Sequence, residues 1–397
     1  MKKSLLIFLC FVSNLTFGQT IYQKDFAELW NNVNENYAYL QQQNIDWPKV
    51  KEIFQPIVDT IKTRDQFISF LEIVLYQLYN GHTSLNTNLE SSNRLVPSGA
   101  DLYVEKINNK YIVTDLRKGF PAEKCGIKTG MEIIQFNNKN VAEQLNQFLP
   151  KYTNNHTPKM VQFAIDMLFA GTHDIPRKIT VLDNGIQKDF YPDKIKITDD
   201  KKLLETKLLN KNVGYIKINN SLYDYNLINA FDKAVDSFNT TQSIIIDLTE
   251  TPSGGNTTVA RSIMGRFIDK KLPYQQHEID ELEFNTKQYW IEYVLPRKPI
   301  YTGNVIVLVG HWTGSMGEGI AIGFDGMKRA TIIGTAMAGL LGAINSFTLT
   351  ETKIGYQFPT ERLYHINGTP REDYKPTIQT GNIGQTWEQV QKILNFK

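Results

Sequence analysis

The chain has 397 residues, of which 41% are hydrophobic and 21% charged, and its 43 basic and 41 acidic side chains leave a net charge of +2. Neither sign forms a long block, so the electrostatic footprint of a nucleic-acid binder is absent. Only two cysteines occur, and metal-ligand spacings of Cys and His are missing, so the expectation is no metal, no cofactor and a fold that relies on its core.

The first residues, MKKSLLIFLCFVSNLTFGQT, place two lysines before an apolar stretch that ends in small residues. That order predicts a secretory signal over residues 1–19, cleaved near Gly18 to Gln19, and hence an exported protein. Cys10 has no convincing lipobox around it. Its removal leaves Cys125 as the one cysteine and excludes an intramolecular disulfide. No other apolar stretch approaches the ~20 residues of a membrane span, so no integral membrane segment is expected after signal removal. The roughly 375 residues left are ample for a sizeable core.

Residues 20–85 form a predicted helical domain. Apolar residues recur at helical spacing from Phe26 to Tyr79, with one break at NIDWPK, and the stretch ends at Gly81, which delivers His82 in NGHTSL. A histidine there is either a helix C-cap feature or a contributor to a site. Residues 97–194 differ in texture. DLYVEKINNKYIVTDL reads as two short strands around an Asn-Asn turn, and GFPAEKCGIKTGMEIIQFNNKNV resembles a sequence element of PDZ domains. PDZ domains hold chain ends by strand addition, but Asp101 in the corresponding loop repels a carboxylate.

From 201 to 397 continuous apolar strands alternate with amphipathic helices (VGYIKI, LINAFDKAVDSF, SIIIDL, TTVARSIMGRFI, VIVLV, EGIAIGFDGM, ATIIGT). This pattern predicts an α/β core with a largely parallel sheet covered by helices, whose site lies at the carboxyl ends of the strands. Ser315 falls at such an end, in TGSMGEG after VIVLVG. A serine before a helix ordinarily serves as N-cap. The alternative is a nucleophile with free N–H groups beside it for an oxyanion. Gly254 and Gly255 follow SIIIDL through a Pro-containing turn; they suit an ordinary βα turn or an oxyanion hole into which a Cβ would intrude.

The ordered set NGHTSL, VGYIKINNS, SIIIDLTETPSGGN, TGSMGEG, RATIIGT and HINGTPREDYKPTI resembles the C-terminal processing, or tail-specific, serine peptidases and their tricorn-like Ser/His/Glu branch. The resemblance spans roughly residues 25 to 380, as an ordered set of individually weak motifs. It implies a ClpP/crotonase-like core, Ser315 as nucleophile, the Gly254-Gly255 turn and the Met316 amide as oxyanion hole, and a peptide or unfolded protein as substrate. One departure bears on mechanism. The place of the family's general-base lysine is Leu340, and Lys328 and Lys353 lie off that spacing. The tricorn-like branch instead implies His82 as base and Glu372 as the acid of the relay. A His base implies an acid limb of kcat/KM at roughly pH 6 to 7.5.

Other residues weigh less. His311, four residues before Ser315, either faces the same cleft or, the more common outcome, caps or packs at its strand end; His156, His173, His277 and His365 have no catalytic companions in sequence, and Glu318, one helical turn after Ser315, is either an alternative polar member of the site or, more commonly at such a position, faces solvent. Tyr289, Trp290, Tyr293 and the AGLLGA segment either line an apolar cleft or pack ordinarily. The competing function is a non-catalytic module that binds peptides or apolar ligands on the peptidase fold. Oligomeric state is not legible.

Overall fold

The computed structural model describes residues 19–197 and 202–395. The expected signal segment, apart from Gln19, lies outside the described residues, as does Cys10. Three helices open the chain: Ile21–Asn36, Trp47–Val58 and Arg64–Tyr76. The sequence reading has one break here; the second falls at 59–63, where Thr63 and Gln66 form a capping box that starts a new helix. Trp47, Phe26 and Phe67 are fully buried among them. Gly81 does not act as a left-handed cap. A Cβ on it would come within 2.7 Å of Val96 O and 3.0 Å of the Leu340 side chain, so glycine is needed for close approach.

The middle region builds a separate sheet. Its strands Leu102–Ile107 and Lys110–Leu116 are joined through Asn108 and Asn109, both at positive φ, as a two-residue Asn-Asn hairpin turn requires. The helix Pro158–Ala170 packs on this sheet. Asp101 is buried and paired with Arg177 at 2.6 and 3.2 Å, and it accepts the N–H of Ala122 at 2.9 Å. Its charge is therefore neutralised within the module rather than turned toward a ligand.

The core carries a six-stranded sheet. Val213–Ile218, Ser243–Asp247, Asn304–Val309, Thr331–Gly334 and Ile378–Gln379 run parallel, and Leu204–Leu209 closes one edge antiparallel. Ile244, Ile245 and Ile246 are wholly buried, which matches the continuous apolar texture of a strand covered on both faces. A second, antiparallel sheet has no counterpart in the sequence reading. Leu272–Glu281 pairs with Thr286–Val294 and with Gly355–Tyr364, and the latter also takes Ala343–Thr348 and the short strand Ser84–Leu85. That last pairing brings the segment carrying His82 to the core. No described helix is long and apolar enough to cross a membrane.

Candidate active site

Ser315 lies at the carboxyl end of Asn304–Val309 and directly before the helix Met316–Gly326. Its φ is +51° and ψ −111°, far from the extended backbone of an ordinary N-cap, and this is a strained conformation for a residue with a side chain. The Ser315 N–H is taken by the Glu318 carboxylate at 2.7 Å.

Gly254 stands against the serine. A Cβ there would be 2.3 Å from Ser315 Cβ, 2.8 Å from its Oγ and 2.9 Å from the Met316 nitrogen, and φ is +65°. The Gly254 N–H is used within its own turn, by Thr251 O at 3.1 Å. No turn or cap hydrogen bond among the described residues uses the N–H of Gly255 or Met316. Gly254 therefore supplies clearance, and the other two residues have N–H groups to offer. Gly255 is tightly held, since a Cβ on it would meet the backbone of Leu222 at 2.2 Å.

His82 is buried, and its Nδ1 lies 2.7 Å from Leu341 O. Donation from Nδ1 leaves Nε2 as the unprotonated nitrogen, the tautomer a base requires. Burial, aided by the Arg371 charge, pushes its pKa down to about 4, below the range expected from sequence. No hydrogen bond joins His82 to Ser315 or Glu372 among the described residues. Leu340 stands between the two segments. Its methyls lie 3.0 Å from the Cβ position of Gly81 and 3.1 Å from that of Gly314.

Glu372, in the short turn Arg371–Asp373, is half-buried, with Oε2 enclosed and unpartnered, and burial raises its pKa. Glu318 does not face solvent, the commoner of its two expected placements. It is fully buried, its pKa is pushed up to about 7 by that burial, and it accepts the Gly339 N–H at 2.9 Å as well as that of Ser315. Arg371 is buried beside it, 3.9 Å from Glu318, and donates to Leu340 O and Gly342 O at 2.9 Å each. The 339–342 loop is thus held by Glu318, Arg371 and His82 together. Sequence reasoning passed over Arg371, and the only signal for it was its place beside Glu372.

Changing Arg371 to Met is expected to cost about 3–5 kcal/mol of stability by leaving Glu318 and two carbonyls without their partner. Glu318 takes up a proton as pH falls through about 7, so the loss in urea midpoint is larger at pH 8 than at pH 6. Equal midpoints for variant and wild type at pH 8 contradict this role.

The remaining candidates separate cleanly. His311 is part-buried and stacked on Tyr103, ring centroids 3.6 Å apart, with its pKa pushed down to about 3 by desolvation. His277 bridges Glu292 and Glu361 and stacks on Trp290. His156 meets Pro150 O, His173 meets Asn88, and His365 lies 3.2 Å from Asp325. Tyr289 and Tyr293 are exposed on the outer strand Thr286–Val294. Lys328 sits beyond the far end of the Ser315 helix and Lys353 in an exposed turn. No metal-binding group of His, Cys, Asp and Glu occurs among the described residues.

A buried α/β sheet with a strained serine at a strand end, faced by a Gly-Gly turn, is the frame of a serine hydrolase. Residues 212–380 match peptidase family S41, and residues 19–75 match the tricorn protease C1 domain. The chain thus carries a peptidase family S41 domain, and S41 peptidases are serine-type hydrolases. Its fold is similar to that of mature CPAF (13% identity, 94% of this chain and 97% of that one, TM-score 0.67). It is likewise similar to the photosystem II D1 C-terminal processing protease (16% identity, 91% and 94% covered, TM-score 0.56). A third likeness is to a putative peptidase from Parabacteroides merdae (14% identity, 95% and 96% covered, TM-score 0.57). No curated protein sequence matches the chain.

Proposed function

We propose that the protein is a serine endopeptidase in which Ser315 attacks the scissile carbonyl and His82 Nε2 accepts the serine proton. His82 returns that proton to the leaving amine, and water then releases the acyl group by the same route in reverse. The N–H groups of Gly255 and Met316 hold the oxyanion, and Glu372 supplies the negative charge that favours imidazolium. Residues 97–194 serve as a PDZ-like module ahead of a ClpP/crotonase-like core, and residues 1–19 as an export signal. The observation that carries the proposal is the close stand of Gly254 against Ser315, where an added Cβ would lie 2.3 Å from Ser315 Cβ, 2.8 Å from its Oγ and 2.9 Å from the Met316 nitrogen. Proton transfer requires Leu340 to turn aside when a peptide enters, since it stands between Gly81 and Gly314.

The same Leu340, with the His82 ring turned onto Leu341 O, favours a second reading: a peptide-binding protein that retains the fold without turnover. Covalent labelling by a fluorophosphonate decides between them. Labelling of the wild type that disappears in Ser315→Ala supports the peptidase. Equal labelling of both ends the assignment of Ser315 as nucleophile, and a wild type that stays unlabelled while binding peptides supports the second reading.

A further inference from the structure

A cavity of about 210 Å³ lies where the helical region, the middle sheet and the core meet. That is smaller than the ~300–1,000 Å³ of sites for drug-sized ligands and suits one side chain. It borders the proposed catalytic parts: Gly81 precedes His82, Trp312 precedes Ser315 by three residues, and Leu340, Leu341 and Glu372 lie on its wall. Much of that wall is apolar, through Val96, Leu102, Phe163 and Trp312.

Its polar end is acidic. Asp166, on the helix Pro158–Ala170, accepts the Gln162 side-chain amide at 2.8 Å. No ion pair engages Asp166 among the described residues, and the nearby charge that acts on it is Glu105, of the same sign. Glu372 adds an enclosed, unpartnered Oε2; the charges around it are Arg371, Asp373 and Lys159. Lys159, the lysine on the cavity wall, gives its Nζ to Asp373 at 2.9 Å. His311, which also lines the cavity, is neutral, its pKa pushed down to about 3 by burial. Asp166 thus faces a largely apolar space without a cation of its own among the described residues, an arrangement that costs free energy until a counter-charge arrives. Burial accordingly raises the pKa of Asp166 to about 7.

We infer that this cavity is a subsite for a cationic group of the peptide substrate, the side chain of lysine or arginine. Its apolar stem lies along Leu102, Phe163 and Leu340, and its charged head meets Asp166, as amphipathic side chains divide between apolar wall and polar end. The inference rests on the peptidase reading for the word substrate, but the binding itself does not require turnover.

The test is calorimetry on the full Ser315→Ala chain at pH 8 with three probes: Nα-acetyl-lysine methylamide, Nα-acetyl-norleucine methylamide and alanine methylamide with a free α-amine. The lysine probe is expected to bind about tenfold or more tighter than norleucine, the effect of one charged hydrogen bond. Asp166→Asn keeps an acceptor for Gln162 and removes the charge, and in it the preference falls to about twofold or less on the same scale. Equal or absent binding of the lysine and norleucine probes, or a preference that survives Asp166→Asn with its circular dichroism unchanged, overturns the inference. Tighter binding of the alanine probe overturns the side-chain assignment in favour of a peptide α-amine. Loss of fluorophosphonate labelling in the wild type, by contrast, bears on the peptidase reading alone.

Discussion

Replacing His82 with alanine is expected to lower kcat/KM by on the order of 10³-fold, the scale for losing a member of a relay. The ring is the one imidazole whose Nδ1 is tied to the loop beside Ser315. Only the neutral ring accepts the serine proton, and with its pKa at about 4 the acid limb of kcat/KM lies near that pH rather than near 6.5. Glu318, at about 7, gives the second limb to look for. An inflection near 7 that persists in His82→Ala and vanishes in Glu318→Gln belongs to the Glu318 carboxylate, which holds the Ser315 N–H. The depressed pKa has a stability consequence of definite sign. The unfolded chain binds a proton at about 6.5 that the folded chain refuses until about 4, so folding weakens as pH falls through that window, by roughly 3 kcal/mol for this group. His82→Ala removes that slope, which paired urea midpoints at pH 7 and pH 5 measure. Near wild-type turnover in His82→Ala would end its role as base.

Gly254→Ala is expected to lower kcat by about 10²–10³-fold with little change in KM, the scale for spoiling an oxyanion hole. The added methyl would sit 2.3 Å from Ser315 Cβ and 2.8 Å from Oγ, so either the serine or the turn must move. The residue also has φ +65°, which adds about 1–3 kcal/mol of backbone strain for a non-glycine residue. Gly368→Ala separates the two effects. Its φ is +90° but nothing lies within 4 Å of the Cβ position, so that variant carries the strain without the clash. Comparable losses of kcat in both, measured on protein shown to be folded, contradict a role for the Gly254 contact.

Much of the candidate site's backbone setting was legible in the amino-acid order because local chemistry writes it there. A serine between a buried strand and a helix, and a Gly-Gly turn after SIIIDL, are short-range signals, and both stand where the parallel strands end. The Asn108-Asn109 hairpin is read from positive-φ preference alone. The buried strands announce themselves by runs of isoleucine and valine without polar interruption.

Tertiary structure decided the rest, because burial and long-range pairing have no local signature. Glu318 reads as an ordinary first-turn glutamate, and only the 339–342 loop folding over it makes it a buried carboxylate with two N–H partners. The antiparallel sheet depends on pairings such as Ser84 with Gln357, 273 positions apart by subtraction, which no periodicity reveals. The pKa of His82 is set by how much water the fold removes from it and by the Arg371 charge brought near from the far end of the chain. The sequence by itself named residue types suited to serine hydrolysis in a plausible order. Only packing decided which of them touch, what stands between them, and which protons they hold.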